Sequence, residues 1–418
     1  MTASLLLALI CAALILQLSI AIGVAFWQYQ RRGGELVLPG LAKTQPAVQP
    51  PAWTGWRQFR VQRRTFEDPG LSQCSFDLVP VDGMPLPPFR PGQFLTVSLE
   101  VAGPGSLASG PTRPVTRCYS LSERPEPAGY RITVKRVPAP ADRPELPEGV
   151  ASNHLHDRVR EGDMVSLKAP AGDFYLDPDP LMPVVLVAGG IGITPMMSML
   201  GWCLRSQPDR PVHLYYGVRN GEELAFGPQL KELARAYPGF HLNLVYSRPR
   251  AADTPGIDFS FAGHIDIDLL RSSLPPGKHQ FYVCGPPAMM ESLVPALTAS
   301  GVLPEDLHFE AFGPATARRV PPGPVIAQGQ TGGPAWTVRF LRSGRTLTWD
   351  GQDNSLLDFA ERHGVSVEAG CRSGRCGCCE TRLVSGSTRC STPAVLVPAA
   401  GYCMLCVCTP TSPLVLEA

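Results

Sequence analysis

Charge is scarce in this sequence, and neither sign prevails. Only 17% of the 418 residues are charged, and 37 basic residues stand against 36 acidic ones for a net charge of +1; an ordinary soluble domain carries about a quarter. The balance removes any ground for nucleic acid as a partner, and the low charge argues against a disordered chain. No tandem repeat is apparent. What the chain has in excess is proline, at 45 residues, roughly twice the usual share, which implies many breaks or linkers. Cysteine is the sharper signal, because eight of the 13 fall within the last 48 residues. Crowding at short fixed spacing suggests a metal centre, whereas a disulfide scaffold would spread its pairs through a small secreted domain.

Residues 3–27 carry no charge at all. As a helix, 25 residues reach about 38 Å, enough to cross a bilayer core of about 30 Å with some tilt. Arg31 and Arg32 follow at once and no basic residue precedes. This arrangement predicts a single-pass transmembrane helix with the following domains in the cytoplasm. A cleaved signal peptide would want a basic start and a shorter apolar core.

The rest divides by rhythm. Residues 28–55 are rich in Pro, Gly and polar types and read as a tether. From 56 to 178, short alternating strings such as Phe94–Leu99 and Tyr130–Val137, separated by turn residues, predict an antiparallel β-barrel. From 179 to 313, continuous apolar strands alternate with helical stretches, the pattern of a parallel α/β domain. A second Pro/Gly linker covers 314–334, and a compact cysteine-rich domain covers 335–418. The expected fold class is therefore multidomain, α/β and β.

In the tail, Cys371, Cys376 and Cys379 are spaced C-x4-C-x2-C, and Cys406 follows 27 positions after Cys379. This is the spacing of plant-type [2Fe-2S] ferredoxins, whose irons take four thiolates. Small residues such as Ser373, Gly374 and Gly377 let backbone N–H groups approach the sulfurs. Zinc sites favour paired C-x2-C units, and Cys376/Cys379 and Cys403/Cys406 are both so spaced, but the added Cys371 of the C-x4-C-x2-C run favours the ferredoxin pattern. Gly401-Tyr402 ahead of Cys406 also resembles these ferredoxins, implying a β-grasp domain with Cys371, Cys376, Cys379 and Cys406 as ligands. Cys403 and Cys408 compete for the fourth position, and spacing alone favours Cys406 over them.

Arg117-Cys118-Tyr119-Ser120 resembles the R-x-Y-S motif of the ferredoxin–NADP reductase superfamily. The resemblance implies that Arg117 pairs with flavin phosphate, Tyr119 lies on the ring system and Ser120 reaches its reactive edge. A guanidinium for phosphate, a flat ring for a flat ligand and a short hydroxyl suit those tasks. Pro91-Gly92-Gln93-Phe94 and Lys135 accompany the motif. Gly149 to Asn153 resembles the G-x-x-S turn that holds a pyrophosphate, with Gly149 and Ser152 as its fixed points, which favours FAD over FMN. His154 and His156 read as surface or cap residues.

The strand Val184–Ala188 runs into Gly189-Gly190-Ile191-Gly192-Ile193-Thr194-Pro195. Pro195 stands where the third glycine of G-x-G-x-x-G would be, and no lysine follows for a P-loop. The glycines still permit close approach to a pyrophosphate, Thr194 could cap the helix, and Pro195 suits its first turn. Cys284-Gly285-Pro286-Pro287 ends the last apolar strand, and Glu310-Ala311-Phe312 closes the domain. By the same resemblance, Cys284 and Glu310 border the hydride path with Ser120, and Gly285 and Phe312 help to hold the cofactors. Ser247, Arg248 and Arg250 leave NADH and NADPH both open, with a lean to NADH.

From about residue 56 the chain resembles phthalate dioxygenase reductase-like and hybrid-cluster protein reductase-like members of that superfamily. The sodium-pumping quinone reductase subunit also has one anchor, but its ferredoxin domain precedes the flavin domain. The resemblance implies electron flow from NAD(P)H through FAD and a [2Fe-2S] cluster to an acceptor protein, expected at the membrane because of the anchor. A redox sensor or scaffold, or a direct reductase of ferric iron, quinone or oxygen, are the other readings.

Overall fold

The computed structural model describes residues 53–102, 112–139, 148–178, 182–312, 335–372, 374, 376–390 and 398–418. The expected transmembrane segment 3–27, nearly all of the tether and the second linker lie outside these residues. Among the described residues no helix is long and apolar enough to cross a membrane.

The first region is a six-stranded antiparallel sheet formed by β1 (Arg57–Phe66), β2 (Gln73–Pro80), β3 (Phe94–Ala102), β4 (Thr112–Ser120), β5 (Tyr130–Lys135) and β6 (Met164–Leu167). Their order is β4-β3-β6-β1-β2-β5, and a bridge from Leu121 to Ile132 joins the two edges, closing the sheet on itself. Alternation sends Phe59, Val61, Phe76, Leu78, Leu95, Val97, Ile132 and Val134 inward, where all are buried. Burying each such side chain contributes about 1.5–3 kcal/mol. Trp53, expected in the tether, instead packs on this core and stacks with Tyr130. Helix α1 (Val150–Asp157) crosses one end of the sheet. His156, expected at the surface, is buried, with its Nε2 2.8 Å from the Val134 carbonyl oxygen. The barrel end needs a polar side chain there to meet that carbonyl.

The second region is a parallel sheet of β7 (Val184–Gly189), β8 (Val212–Val218), β9 (Phe240–Tyr246), β10 (Phe261–Ala262), β11 (Gln280–Gly285) and β12 (Leu307–Ala311), in the order β10-β9-β8-β7-β11-β12. Helices α2 (Ile193–Ser206), α3 (Gly227–Ala236), α4 (Ile267–Ser273) and α5 (Pro287–Ala299) connect the strands. Every residue of β7 and β11 is buried, as strands covered on both faces require. The strand order reverses between β7 and β11, so the crevice at their carboxyl ends is where an open α/β sheet takes its ligand.

The third region is a mixed sheet of β13 (Trp336–Phe340), β14 (Arg345–Trp349), β15 (Glu380–Ser385), β17 (Tyr402–Met404) and β19 (Leu414–Leu416), in the order β14-β13-β19-β15-β17. Beside it lie a two-stranded sheet of β16 (Thr388–Cys390) and β18 (Cys408–Pro410), and helix α6 (Leu356–Arg362). The Ser355 hydroxyl accepts the Asp358 N–H (3.1 Å) and so starts α6, whose Leu356, Leu357 and Phe359 fill the core with Phe340 and Leu416. The three regions belong to one compact unit.

Candidate functional site

At the end of β7 the chain turns through a 3₁₀ segment, Gly190–Gly192, into α2. Gly190 has φ +53° with open space beside its Cα, while a side chain on Gly192 would collide with the Cys284 carbonyl. On the facing side, a Cβ on Gly189 would lie 2.6 Å from Pro286 Cδ, and one on Gly285 would lie 3.1 Å from Gly189 Cα. The two glycine turns are therefore packed backbone to backbone, which no other residue type allows. Thr194, expected to cap the helix, lies inside it. Its hydroxyl donates to the Ile191 carbonyl (3.0 Å), and Gly192 is the cap position.

Cys284 is fully buried, in register with Glu310 on β12 and Ala188 on β7. Burial first, and the Glu310 carboxylate second, push its thiol well above the ordinary thiol range. Burial of this kind favours the neutral thiol and makes it a poor nucleophile. Phe312 packs against the core that includes Cys284. The structure thus gathers Gly189, Gly190, Gly192, Cys284, Gly285 and Glu310 at one crevice.

Helix α2 is pinned to the barrel just after the R-C-Y-S strand, where Ser198 Oγ donates to the Glu123 carbonyl (2.8 Å). Gly92, with φ +106°, leaves no room for a side chain between Met199 and the Phe174 carbonyl. The P-G-Q-F turn is thus a joint between barrel and α/β domain. On β4, Arg117 is exposed, Tyr119 packs on the barrel core with its phenol pushed up by burial, and Ser120 is buried. The Ser120 hydroxyl finds no hydrogen-bond partner among the described residues. A buried polar atom of this kind calls for a ligand.

Around the expected pyrophosphate turn, Ser152 Oγ donates to the Gly149 carbonyl (3.1 Å), and Asn153 Nδ2 donates to Val137 (2.8 Å) and Gly149 (2.9 Å) carbonyls. A Cβ on Gly149 would sit 2.6 Å from Ser152 Oγ, so glycine is required there. Lys135, expected beside the flavin, makes an ion pair with Glu223 of the α/β domain (2.8 Å). Nearby, Gly70 donates to Glu222 (2.9 Å), Phe226 to Glu67 (3.0 Å) and Gln73 Nε2 to Glu223 (3.0 Å), all to carbonyl oxygens. Sequence reasoning missed this second joint, because its partners lie about 150 positions apart and carry no motif.

In the cysteine-rich region, the Cys371 N–H donates to Cys376 Sγ (3.2 Å) and the Cys376 N–H to Cys371 Sγ (3.3 Å). Cys379 Sγ and Cys406 Sγ are 3.1 Å apart, and the Gly374 N–H donates to Cys406 Sγ (3.2 Å). Arg372, at φ +54°, pairs with Glu361 and ties the loop to α6. Cys408 forms a disulfide with Cys390, and it is the sulfur of Cys406 that the structure sets beside that of Cys379. Among the described residues no three His, Cys, Asp or Glu side chains are gathered as a single metal ion requires. Two pairs of sulfurs, each with backbone N–H donors, suit a two-iron centre better.

Residues 186–294 match the oxidoreductase NAD-binding domain family, and residues 338–411 match the 2Fe-2S iron-sulfur cluster binding domain family. The FAD/NAD-binding domain of a nitric oxide dioxygenase from Vibrio cholerae is 32% identical, with a TM-score of 0.53, over 62% of this chain and 99% of that one. Phthalate dioxygenase reductase is 28% identical, with a TM-score of 0.50, over 87% of this chain and 98% of that one. The chain is an oxidoreductase of the ferredoxin-reductase type. Its cofactors are FAD, NAD(P)H and [2Fe-2S]. The reductase is also 37% identical over 262 residues to a flavohemoprotein of Rhizobium meliloti, covering 63% of this chain and 62% of that protein. It spans 61–65% of the length of the curated flavohemoproteins it matches.

Proposed function

We propose that this reductase carries electrons from NAD(P)H, by way of FAD and a [2Fe-2S] cluster, to a one-electron acceptor protein. When bound, the flavin accepts electrons in pairs and releases them singly, and the cluster carries one at a time. The observation that carries the reading lies in three consecutive residues of β4. Ser120 ends the strand beside the joint to the nicotinamide crevice with its hydroxyl unsatisfied, and two positions earlier Cys118 meets the cysteine loop.

In this reading Arg117 takes the flavin phosphate, Tyr119 supplies a flat apolar surface, and Ser120 donates to the ring edge. Gly149 and Ser152 shape the pyrophosphate turn. Gly189, Gly190, Gly192 and Gly285 let the dinucleotide approach the backbone, while Thr194 and Pro195 lie in the first turn of α2. Cys284 keeps a neutral, water-free surface beside the transfer path, and Glu310 and Phe312 close its far side. Cys371, Cys376, Cys379 and Cys406 would hold the irons. Ser120→Ala should slow flavin reduction by NADH by about 10-fold or more, with NADH affinity unchanged. An equal rate would contradict the assignment.

NADH is the favoured donor. Arg250 is paired with Glu222 and with Asp253 (3.4 Å), which favours NADH over a donor bearing a 2′-phosphate. A kcat/KM for NADPH equal to that for NADH would overturn this choice. The uncharged run 3–27 followed by Arg31 and Arg32 supports a membrane anchor, with the catalytic domains in the cytoplasm and the acceptor at the membrane. An acceptor such as an oxygenase, a desaturase or a hybrid-cluster protein fits the resemblance. Extraction of the full chain by alkaline carbonate alone, without detergent, would contradict the anchor.

A further inference from the structure

Cys118 belongs to the flavin-holding strand by sequence and to the cysteine loop by contact. Between Arg117 and Tyr119, strand alternation turns its side chain to the opposite face. There it pairs in register with Thr96, whose Oγ1 lies 3.6 Å from its Sγ. With Phe94 and Ala171 it forms the barrel side of a small apolar cluster, whose other side is Cys371, Cys376 and Cys378. The backbone at Gly370 threads between the sulfurs, for a Cβ there would lie 2.9 Å from Cys376 Sγ, 3.2 Å from Cys118 Sγ and 3.3 Å from Cys378 Sγ. Cys118 and Cys376 are in direct side-chain contact. The strand that would hold the flavin thus touches a sulfur that would hold iron.

A thiol is a weak hydrogen-bond donor, and a thiolate ligand is an acceptor that donors around an iron–sulfur centre tune. Donors to the ligand sulfurs favour the reduced, more negative centre and so raise its potential. We propose that Cys118 is a positioning residue that joins the two electron-carrying modules, its S–H donating to Cys376 Sγ across the barrel–ferredoxin interface. The contact does two things at once. It raises the potential of the cluster, and it fixes the loop against the strand that carries Tyr119 and Ser120. This inference rests on the proposed electron path and adds to it a residue that the R-x-Y-S motif leaves unspecified.

The test uses the full-length holoprotein and the variants Cys118→Ala and Cys118→Ser. Potentiometric titration followed by EPR reads the cluster, and stopped-flow absorbance reads flavin and cluster separately after mixing with NADH. In Cys118→Ala the cluster should assemble with unchanged iron content, its midpoint should shift to more negative potential, and electron transfer from flavin to cluster should slow several-fold. The preceding bleaching of the flavin should keep its rate. Cys118→Ser, which keeps a donor, should recover most of the midpoint. An unmoved midpoint in Cys118→Ala, or a serine variant that behaves as alanine does, overturns the proposal.

A wild-type protein that assembles no cluster contradicts the proposed function and this inference together. A normal cluster indifferent to residue 118 contradicts this inference alone.

Discussion

His213 lies at the start of β8, far from the crevice, and is buried against two other imidazoles. Its ring stacks on His241 (4.5 Å between centroids) and meets His279 edge-on (6.2 Å). Burial first, then its neighbours His241 and His279, hold its pKa down at about 4. Unfolded, the same ring takes a proton near pH 6.5 or so. Between those values the unfolded chain binds more protons than the folded one. Stability should therefore fall as pH drops from 6.5 towards 4, by about 1–3 kcal/mol. Urea midpoints of wild type and His213→Gln, compared at pH 7 and pH 4.5, should show the acid loss shrinking in the variant. Cys406 raises a different question, because spacing alone could not separate it from Cys403 and Cys408. The Cys379–Cys406 sulfur contact and the Cys390–Cys408 disulfide do so, and both depend on strand pairings that no local pattern announces. Accordingly Cys406→Ser should abolish the cluster's visible absorption. Cys390→Ser should keep it and cost about 3 kcal/mol of stability, the usual worth of a loop that short.

Elements show why the glycine turns were legible from sequence and the second joint was not. A turn that must bring two backbones together needs glycine, and Gly189, Gly190, Gly192 and Gly285 stand out in any reading. Their individual demands differ. Gly192→Ala meets the Cys284 carbonyl, which neither strand can move, and should cost about 3 kcal/mol and weaken NADH binding. Gly190→Ala meets open space, so only its φ of +53° resists, for about 1 kcal/mol. Thermal melts with and without NADH would separate the two. Periodicity likewise distinguished the alternating strands of the barrel from the continuously apolar strands of the parallel sheet, since burial on one face or two leaves its mark locally. The pairing of Lys135 with Glu223 leaves no such mark, because it depends on how two finished sheets meet. It joins partly exposed side chains, so Lys135→Ala should change global stability by about 1 kcal/mol or less.

Across the whole molecule, β4 is where the modules converge. One end of the strand adjoins the helix that rises from the nicotinamide crevice, and its outer face bears the cysteine loop. The module order, with flavin and nicotinamide domains ahead of the iron–sulfur domain, could be read from motifs alone. Their contact surface could not, since Cys118 carries no family signal and Gly370 is an ordinary glycine in sequence. The central claim is a sequence of events, NADH first, flavin second, cluster last. Anaerobic mixing of the full-length protein with one equivalent of NADH, sampled by absorbance and freeze-quench EPR, tests it most directly. Flavin bleaching should come first, followed by the EPR signal of a reduced [2Fe-2S] centre that grows as the flavin band partly recovers. A flavin that stays bleached while no cluster signal appears within seconds would contradict the account.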